Sequence, residues 1–302
     1  MGLPETVGKI KGKLRRIKRA IKLIAFRIRF FPRIMTEAQT ICHIKKTHCS
    51  ISRYGDGEFA IMFDGEIGFQ PADPKLAQAL KTVMASDDKK LLICIPHTFV
   101  QTFGYKKESA DFWNGWVKGS GLRAFGLIDS LAGPHIRFGD TQTTRPYMDW
   151  KSSKNATIVF RLFKELWDNR DILVVEGTQT RLGVGNDLLS NARSVKRILC
   201  PAVNAFSVYD EILAGIRAVY DNELVLLALG PTATVLAYDL TKLGIQALDV
   251  GHLDVEYMWY LQGATQKCAI PGKYINEIPE ARDRTSVCQD TLYCAQVILQ
   301  IP

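Results

Sequence analysis

Two carboxylates one residue apart, Asp56 and Glu58, sit in the glycine-flanked segment Arg53-Tyr54-Gly55-Asp56-Gly57-Glu58. Glycine frees the backbone to turn both side chains toward one hard cation. A Mg2+ or Mn2+ held by so few protein oxygens completes its shell with water and substrate phosphates. Arg53 adds a guanidinium fork that suits a diphosphate. The same residues also describe an ordinary solvated turn, because Gly and Asp favour turns.

Three further segments carry polar residues and glycine just past apolar runs. The first, Glu176 to Asp187, holds Gly177, Gly183 and Gly185 together with Arg181. It opens a helix expected over 186–192, whose free N–H groups suit an anion. A dinucleotide fingerprint would need G-x-G-x-x-G, and Leu188 stands where its last glycine belongs, which counts against a nicotinamide cofactor. The second, Gly230-Pro231-Thr232-Ala233-Thr234, places two threonines at a helix start, where they cap the helix or bind phosphate. The third, Asp249 to Tyr257, gathers His252 with Asp249, Asp254 and Glu256. A histidine there can ligate a metal or take a proton.

The elements that must position these loops alternate in type. Helical stretches are expected over 36–50 (with Thr36 as N-cap), 74–85, 109–117, 156–167, 208–220 and 233–243. Strand-like apolar runs fall at 51–54, 91–95, 172–175, 197–200, 224–229 and 247–250, the last of these ending the sheet. Apolar runs without alternation, separated by helices, indicate a parallel sheet covered on both faces. The fold class is therefore α/β, a Rossmann-like doubly wound and mostly parallel sheet, in which ligands bind beyond the carboxyl ends of the strands.

Ahead of this body lies a cationic arm. Residues 9–33 hold eleven Lys or Arg and no acid, while the rest of the chain has 28 basic against 31 acidic residues. The basicity thus belongs to one segment, which argues against a broad nucleic-acid-binding face on the body. Ile10, Leu14, Ile17, Ile21, Ile24, Ile28 and Phe31 recur at alternating steps of four and three, forming one helical stripe that Leu23, Phe26 and Phe30 are expected to widen. Pro32 ends the helix. Such a helix suits an anionic membrane surface; a coiled-coil seam and a phosphate backbone are the competing partners. No secretory signal and no span long enough for a bilayer are read. Seven cysteines, an odd number with no C-x-x-C spacing, fit buried thiols in a reducing compartment.

Taken together, the segments 53–58, Arg145-Pro146-Tyr147, 180–187, 229–234 and 251–257 resemble the GT-D-type bacterial glycosyltransferases, once described as domain of unknown function 1792. The resemblance covers about residues 36–262, in consistent order. It implies a hexosyltransferase that uses a nucleotide-diphosphate sugar of the UDP-glucose or UDP-galactose type to extend a surface glycan, a glycoprotein or a lipid-linked acceptor. It makes Asp56, Glu58 and His252 metal ligands for Mn2+ or Mg2+. It brings Arg53, Tyr54, Gly55, Arg145, Arg181, Gly183, Gly185, Asn186, Gly230 and Thr232 to the donor. Asp254 and Glu256 are the candidates for a catalytic base. The organisation expected is an arm at 1–35, a transferase domain at 36–264 and a tail at 265–302 packing on it. The chain is expected in the cytoplasm, peripheral on the inner face of the cell membrane, with no nucleic-acid partner and a homo-oligomer open. The rival classes are another nucleotide-binding enzyme, such as a dehydrogenase, and a non-catalytic membrane- or nucleic-acid-binding module.

Overall fold

Apolar runs that lack polar alternation are stable as strands only where both faces are covered. The computed structural model describes residues 3–133, 136–282 and 288–302, with side chains of the first helix described from residue 12 onward. In chain order the elements are α1 (Leu3–Phe30), α2 (Glu37–Thr47), β1 (Ser50–Arg53), α3 (Asp56–Met62), α4 (Pro74–Met84), β2 (Leu91–Ile95), α5 (Lys107–Ala132), β3 (Gly139–Asp140), α6 (Lys154–Leu166), β4 (Asp171–Gly177), β5 (Ser194–Cys200), α7 (Tyr209–Val219), β6 (Leu224–Ala228), α8 (Pro231–Lys242), β7 (Ala247–Asp249), α9 (Leu253–Leu261), α10 (Thr291–Gln296) and β8 (Val297–Gln300). The strands lie in the order β3-β2-β1-β7-β6-β4-β5-β8, and each neighbouring pair is parallel.

The chain leaves β1 for β2 and β3 on one side, starts again at β4, and returns through β6 and β7 until Leu248 pairs with Ile51 of β1. Successive strand residues feed opposite faces. Ile51, Leu92, Val174, Leu226 and Leu248 pack with Ile41 of α2, Phe163 of α6 and Leu253 of α9. Ile93 packs with Leu80 of α4 and Phe125 of α5, and Leu173 and Leu227 pack with Ile216 of α7 and Leu236 of α8. Each such side chain, fully removed from water, contributes about 1.5–3 kcal/mol. At the start of α2 the Thr36 hydroxyl accepts from the Gln39 amide, and the Gln39 side chain accepts from the Thr36 amide. This reciprocal cap fixes where the helix begins.

Four expectations change. Residues 186–192 form turns, not a helix, because their backbone is bonded elsewhere: Asn186 Oδ1 accepts from the Leu188 amide, and the Leu188 carbonyl accepts from Trp167 Nε1. The sheet does not end at β7, since the C-terminal residues supply β8 beside β5. The aromatic stretch 109–117 is the first part of a longer helix, α5. Finally, Leu23, Phe26 and Phe30 do not widen the arm's stripe. At about 100° per residue they fall on nearly the opposite side of α1, where Phe26 stacks on Phe125 at 5.3 Å and Phe30 is fully buried. The side chains of Lys9, Ile10 and Lys11 lie outside the described residues.

Candidate active site

Parallel strands put their carboxyl ends on one side, and β1 and β7 deliver the acidic pair and the histidine to neighbouring positions there. Arg53, the last residue of β1, holds the two strands together. Its Nε donates to the Asp249 carbonyl at 2.8 Å and one Nη to the Asp249 carboxylate at 2.9 Å. The other Nη donates to Thr144 Oγ1 at 2.7 Å and to the Thr141 carbonyl at 3.3 Å. Thr234 Oγ1 of α8 closes the ring by donating to the Arg53 carbonyl at 2.9 Å. The guanidinium expected at the diphosphate is therefore a strut. Gly251, at φ +46°, lies so close to it that a Cβ would collide with the guanidinium. Tyr54, also expected at the donor, is buried and donates to the Leu80 carbonyl at 2.7 Å. The Gly55 amide is taken by Glu58 Oε2 at 2.6 Å.

What remains facing the crevice is a small set. Asp56 is solvent-exposed and in no ion pair among the described residues. The surrounding protein nonetheless desolvates it enough to hold its carboxyl above the usual value, against the pull of Arg145. Burial pushes Glu58 up to about 7. His252 is recessed in the same bowl. Burial and then the Arg145 charge push it down to about 3, so the ring is neutral and keeps a free lone pair at ordinary pH. Arg145 donates to Glu277, a residue of the C-terminal segment. Burial alone would raise Glu277, but Arg145, His252 and Lys267 around it pull it well below the carboxylate range.

The glycine segment is built differently from its sequence reading. Asp254 Oδ1 accepts from the Gly183 amide and from Asn186 Nδ2, each at 2.8 Å, and Oδ2 is ion-paired with Lys273. Asp254 and Lys273 are both buried, and Lys273 also donates to the Arg181 carbonyl at 3.0 Å. Arg181 is itself buried and donates to the Gly272 carbonyl at 2.6 Å. Asp254, expected as a base, is thus bonded as a brace; the Gly183 amide and the Asn186 side chain, expected at the donor, donate to it, and Arg181 donates to the Gly272 carbonyl. Gly185 alone of this group stands open, at φ +75° with nothing within 4 Å of a Cβ position. Glu256 is also internal: Oε2 accepts from the amides of Tyr147 at 3.0 Å and Met148 at 2.8 Å, which holds the segment carrying Arg145. Thr232 is buried at the start of α8, and Gly230 (φ +55°) lies directly against the Phe69 ring.

Sequence reasoning missed Phe69 and Glu277. Phe69 belongs to a strap over 64–73 that crosses the carboxyl ends of the strands: Ile67 lies beside Gly57, and the Phe69 carbonyl accepts from the Asn204 amide at 2.8 Å. Glu277 belongs to a second strap that meets the first where Asn276 lies against Gly68. The first strap does carry a signal, since Asp64-Gly65-Glu66 repeats the residue types of Asp56-Gly57-Glu58, but it does not follow a strand-like apolar run; the second has no comparable pattern.

The donor set suits a hard divalent ion in part. Asp56 offers a solvent-exposed carboxylate that, among the described residues, only the amides of its own turn approach, and Glu58 has one oxygen beyond the one that caps Gly55. Among the described residues, however, no three His, Cys, Asp or Glu side chains converge on one point, so His252 does not complete a cage with the acid pair. Such a site matches an ion carried in by substrate phosphates rather than one held by protein alone.

A family model described as glycosyltransferase GT-D fold matches residues 51–278. The probable glycosyl transferase Gly of Streptococcus gordonii is 34% identical over 269 residues, which is 89% of this chain and 39% of that protein. Glycosyltransferase GlyD of Streptococcus pneumoniae serotype 4 is 33% identical over 264 residues, 87% of this chain and 32% of that protein. The chain therefore spans well under half the length of either relative. Among solved structures, one described as domain of unknown function 1792 with a distinct glycosyltransferase fold superposes with a TM-score of 0.85 at 34% identity, covering 93% of this chain and 100% of that one. A glycosyltransferase of the same domain type from Streptococcus sanguinis gives 0.82 at 33% identity, covering 89% and 99%.

Proposed function

The chain belongs to the GT-D glycosyltransferase family, and from that premise we propose that it moves a hexose from a UDP-glucose- or UDP-galactose-type donor, assisted by Mn2+ or Mg2+, to a growing surface glycan, a glycoprotein or a lipid-linked acceptor. The observation that carries this reading is the meeting of the Asp56 carboxylate and the neutral His252 imidazole, beyond the adjacent strands β1 and β7, with the Arg145 guanidinium that arrives from beyond β3. Asp56 and Glu58 would hold the divalent ion, whose positive charge would stabilise a departing nucleoside diphosphate. Arg145, held by Glu277, presents a second positive charge whose position does not depend on the ligand. His252 stays uncharged, so it accepts a bond or a metal instead of competing with the ion. Asp254 and Glu256 act one step back, by fixing the glycine segment and the Arg145 segment. The cationic arm at 9–33 sets the protein against the inner face of a membrane.

Donor hydrolysis with UDP-sugars, measured with Mn2+ and with EDTA, tests the reading. Asp56→Ala and EDTA should each lower turnover by on the order of 100-fold. Full activity under either condition, or thermal stabilisation by NAD and not by UDP with Mn2+, would overturn it.

A further inference from the structure

Six large apolar residues of the arm, Leu14, Ile17, Ile21, Ile24, Ile28 and Phe31, are 46% to 70% exposed although a whole domain lies beside them. The reason is the phase of the helix. The side of α1 that meets the body carries Arg19, Leu23, Phe26 and Phe30, nearly opposite the outer stripe. Polar bonds fix that orientation: Arg19 donates to the carbonyls of Lys118 and Gly119, each at 2.7 Å, and Arg27 to the Phe99 carbonyl and to Asn114 Oδ1, each at 3.0 Å. Arg29 is ion-paired with Asp129, and Arg33 donates to the Gly133 carbonyl at 2.7 Å. The helix is therefore not a loose tether. It is clamped along α5 with its apolar stripe turned outward.

The remaining basic residues surround the stripe with unpaired positive charge. Lys13, Arg15, Arg16, Lys18 and Lys22 are exposed and form no ion pair among the described residues, and no acid interrupts them in sequence. The stripe also continues onto the body. Phe103 is 89% exposed, and the loop that bears it lies at the foot of the helix: its amide donates to Gln101, Gln101 meets His97, and the His97 ring is 5.7 Å from that of Phe31. This loop leaves the carboxyl end of β2, the same end of the sheet as Asp56 and His252.

We propose that the outer face of α1, with Phe31 and Phe103 at its foot, is a preformed docking surface for an anionic lipid bilayer that holds the mouth of the site toward the headgroups. This deepens the membrane placement proposed above and does not depend on the identity of the donor. The apolar stripe enters the acyl boundary while the flanking cations meet lipid phosphates. A second copy of the chain would bring like charges together along both flanks of a shared seam. A nucleic acid would neutralise the cations but leave the apolar stripe in water.

Flotation of the full chain with vesicles decides the matter. Binding is expected to phosphatidylcholine vesicles containing phosphatidylglycerol, to be weak on pure phosphatidylcholine, and to fall with salt. Ile21→Glu with Ile28→Glu should abolish it, Phe103→Ser should weaken it, and each of Lys18→Gln and Lys22→Gln should lower affinity by about five-fold. All these side chains are exposed, so melting temperature and hydrolysis of a free UDP-sugar should stay at wild-type values. Loss of hydrolysis in every form of the protein, wild type included, would instead count against the transferase reading alone. Three results would overturn the docking surface: equal binding by the Ile21→Glu, Ile28→Glu chain, a stable dimer that this double substitution dissolves, or a preference for RNA over anionic vesicles at physiological salt.

Discussion

The pairing of Asp254 with Lys273 separates a brace from a base. Both side chains are about 3% exposed and bonded to each other, so removing one charge strands the other in the interior. Breaking a buried pair in this way costs about 3–5 kcal/mol. In a chain of this size that corresponds to a fall in melting temperature on the order of 10 °C. Asp254→Asn should reach that cost, because Lys273 then faces only a neutral amide and the Arg181 carbonyl. Lys273→Met should fall at its lower end, because Asp254 keeps the Gly183 and Asn186 donors. The double variant removes both charges at once. It should recover part of the loss, with a coupling energy on the order of 2 kcal/mol.

Thermal melts and urea titrations of the four proteins give the cycle, and donor hydrolysis below the lowest melting point gives the kinetics. Both single variants should lose turnover to a similar degree, since both release the segment 181–186 from its support. A catalytic base behaves otherwise. An Asp254→Asn protein that melts like wild type yet has no turnover, beside a fully active Lys273→Met, would refute the brace.

Two more expectations follow from the same bowl. Burial lifts the Glu256 carboxyl from 4.5 to about 7, so its contribution to stability is complete below 4.5, declines as pH rises and is lost above 7; in urea melts across that window Glu256→Gln should gain on wild type by on the order of 3 kcal/mol, and a pH-independent difference would contradict this. Gly251→Ala places a Cβ into the Arg53 guanidinium and breaks its hold on Asp249, which should cost on the order of 4 kcal/mol by calorimetry, whereas an unchanged melt would mean that Arg53 is not the strut between β1 and β7.

Where apolar content alone decides an element, the sequence was sufficient. Leu91–Ile95 and Leu224–Ala228 are wholly buried strands because five consecutive apolar residues have nowhere else to go. Thr36 announced the start of α2 as its N-cap, and Gln39 completes the cap in the structure. Elements whose stability comes from distant partners were not readable. β3 has two residues and exists because β2 offers it a ladder. β8 alternates half-buried with exposed positions, and it is defined by its pairing to β5 some hundred residues earlier. The stretch 186–192 was expected as a helix, yet its Asn, Asp and Ser residues favour turns and Trp167 takes the Leu188 carbonyl that a helix would need.

The acidic pair and His252 were marked from residue type and spacing and Arg145 from the family resemblance, and Asp56 and His252 both lie within the field of Arg145. Arg53, Arg181 and Asp254 were marked with the same logic and are occupied elsewhere. Nothing local distinguishes the two groups. An arginine after a strand offers five donors whichever way it turns, and a carboxylate offers its lone pairs to any amide in reach. What separates them is whether distant chain satisfies those groups first. Gly272 reaches Arg181 across 91 residues, and Lys273 reaches Asp254 across 19, both from a C-terminal segment that has no motif of its own. That segment decides the site twice over, since it also brings Glu277 to Arg145. A residue is open to chemistry here to the degree that distant chain has left it unclaimed, and Asp56, exposed, approached among the described residues only by the amides of its own turn and lying in the field of Arg145, is the side chain on which a ligand has most to act.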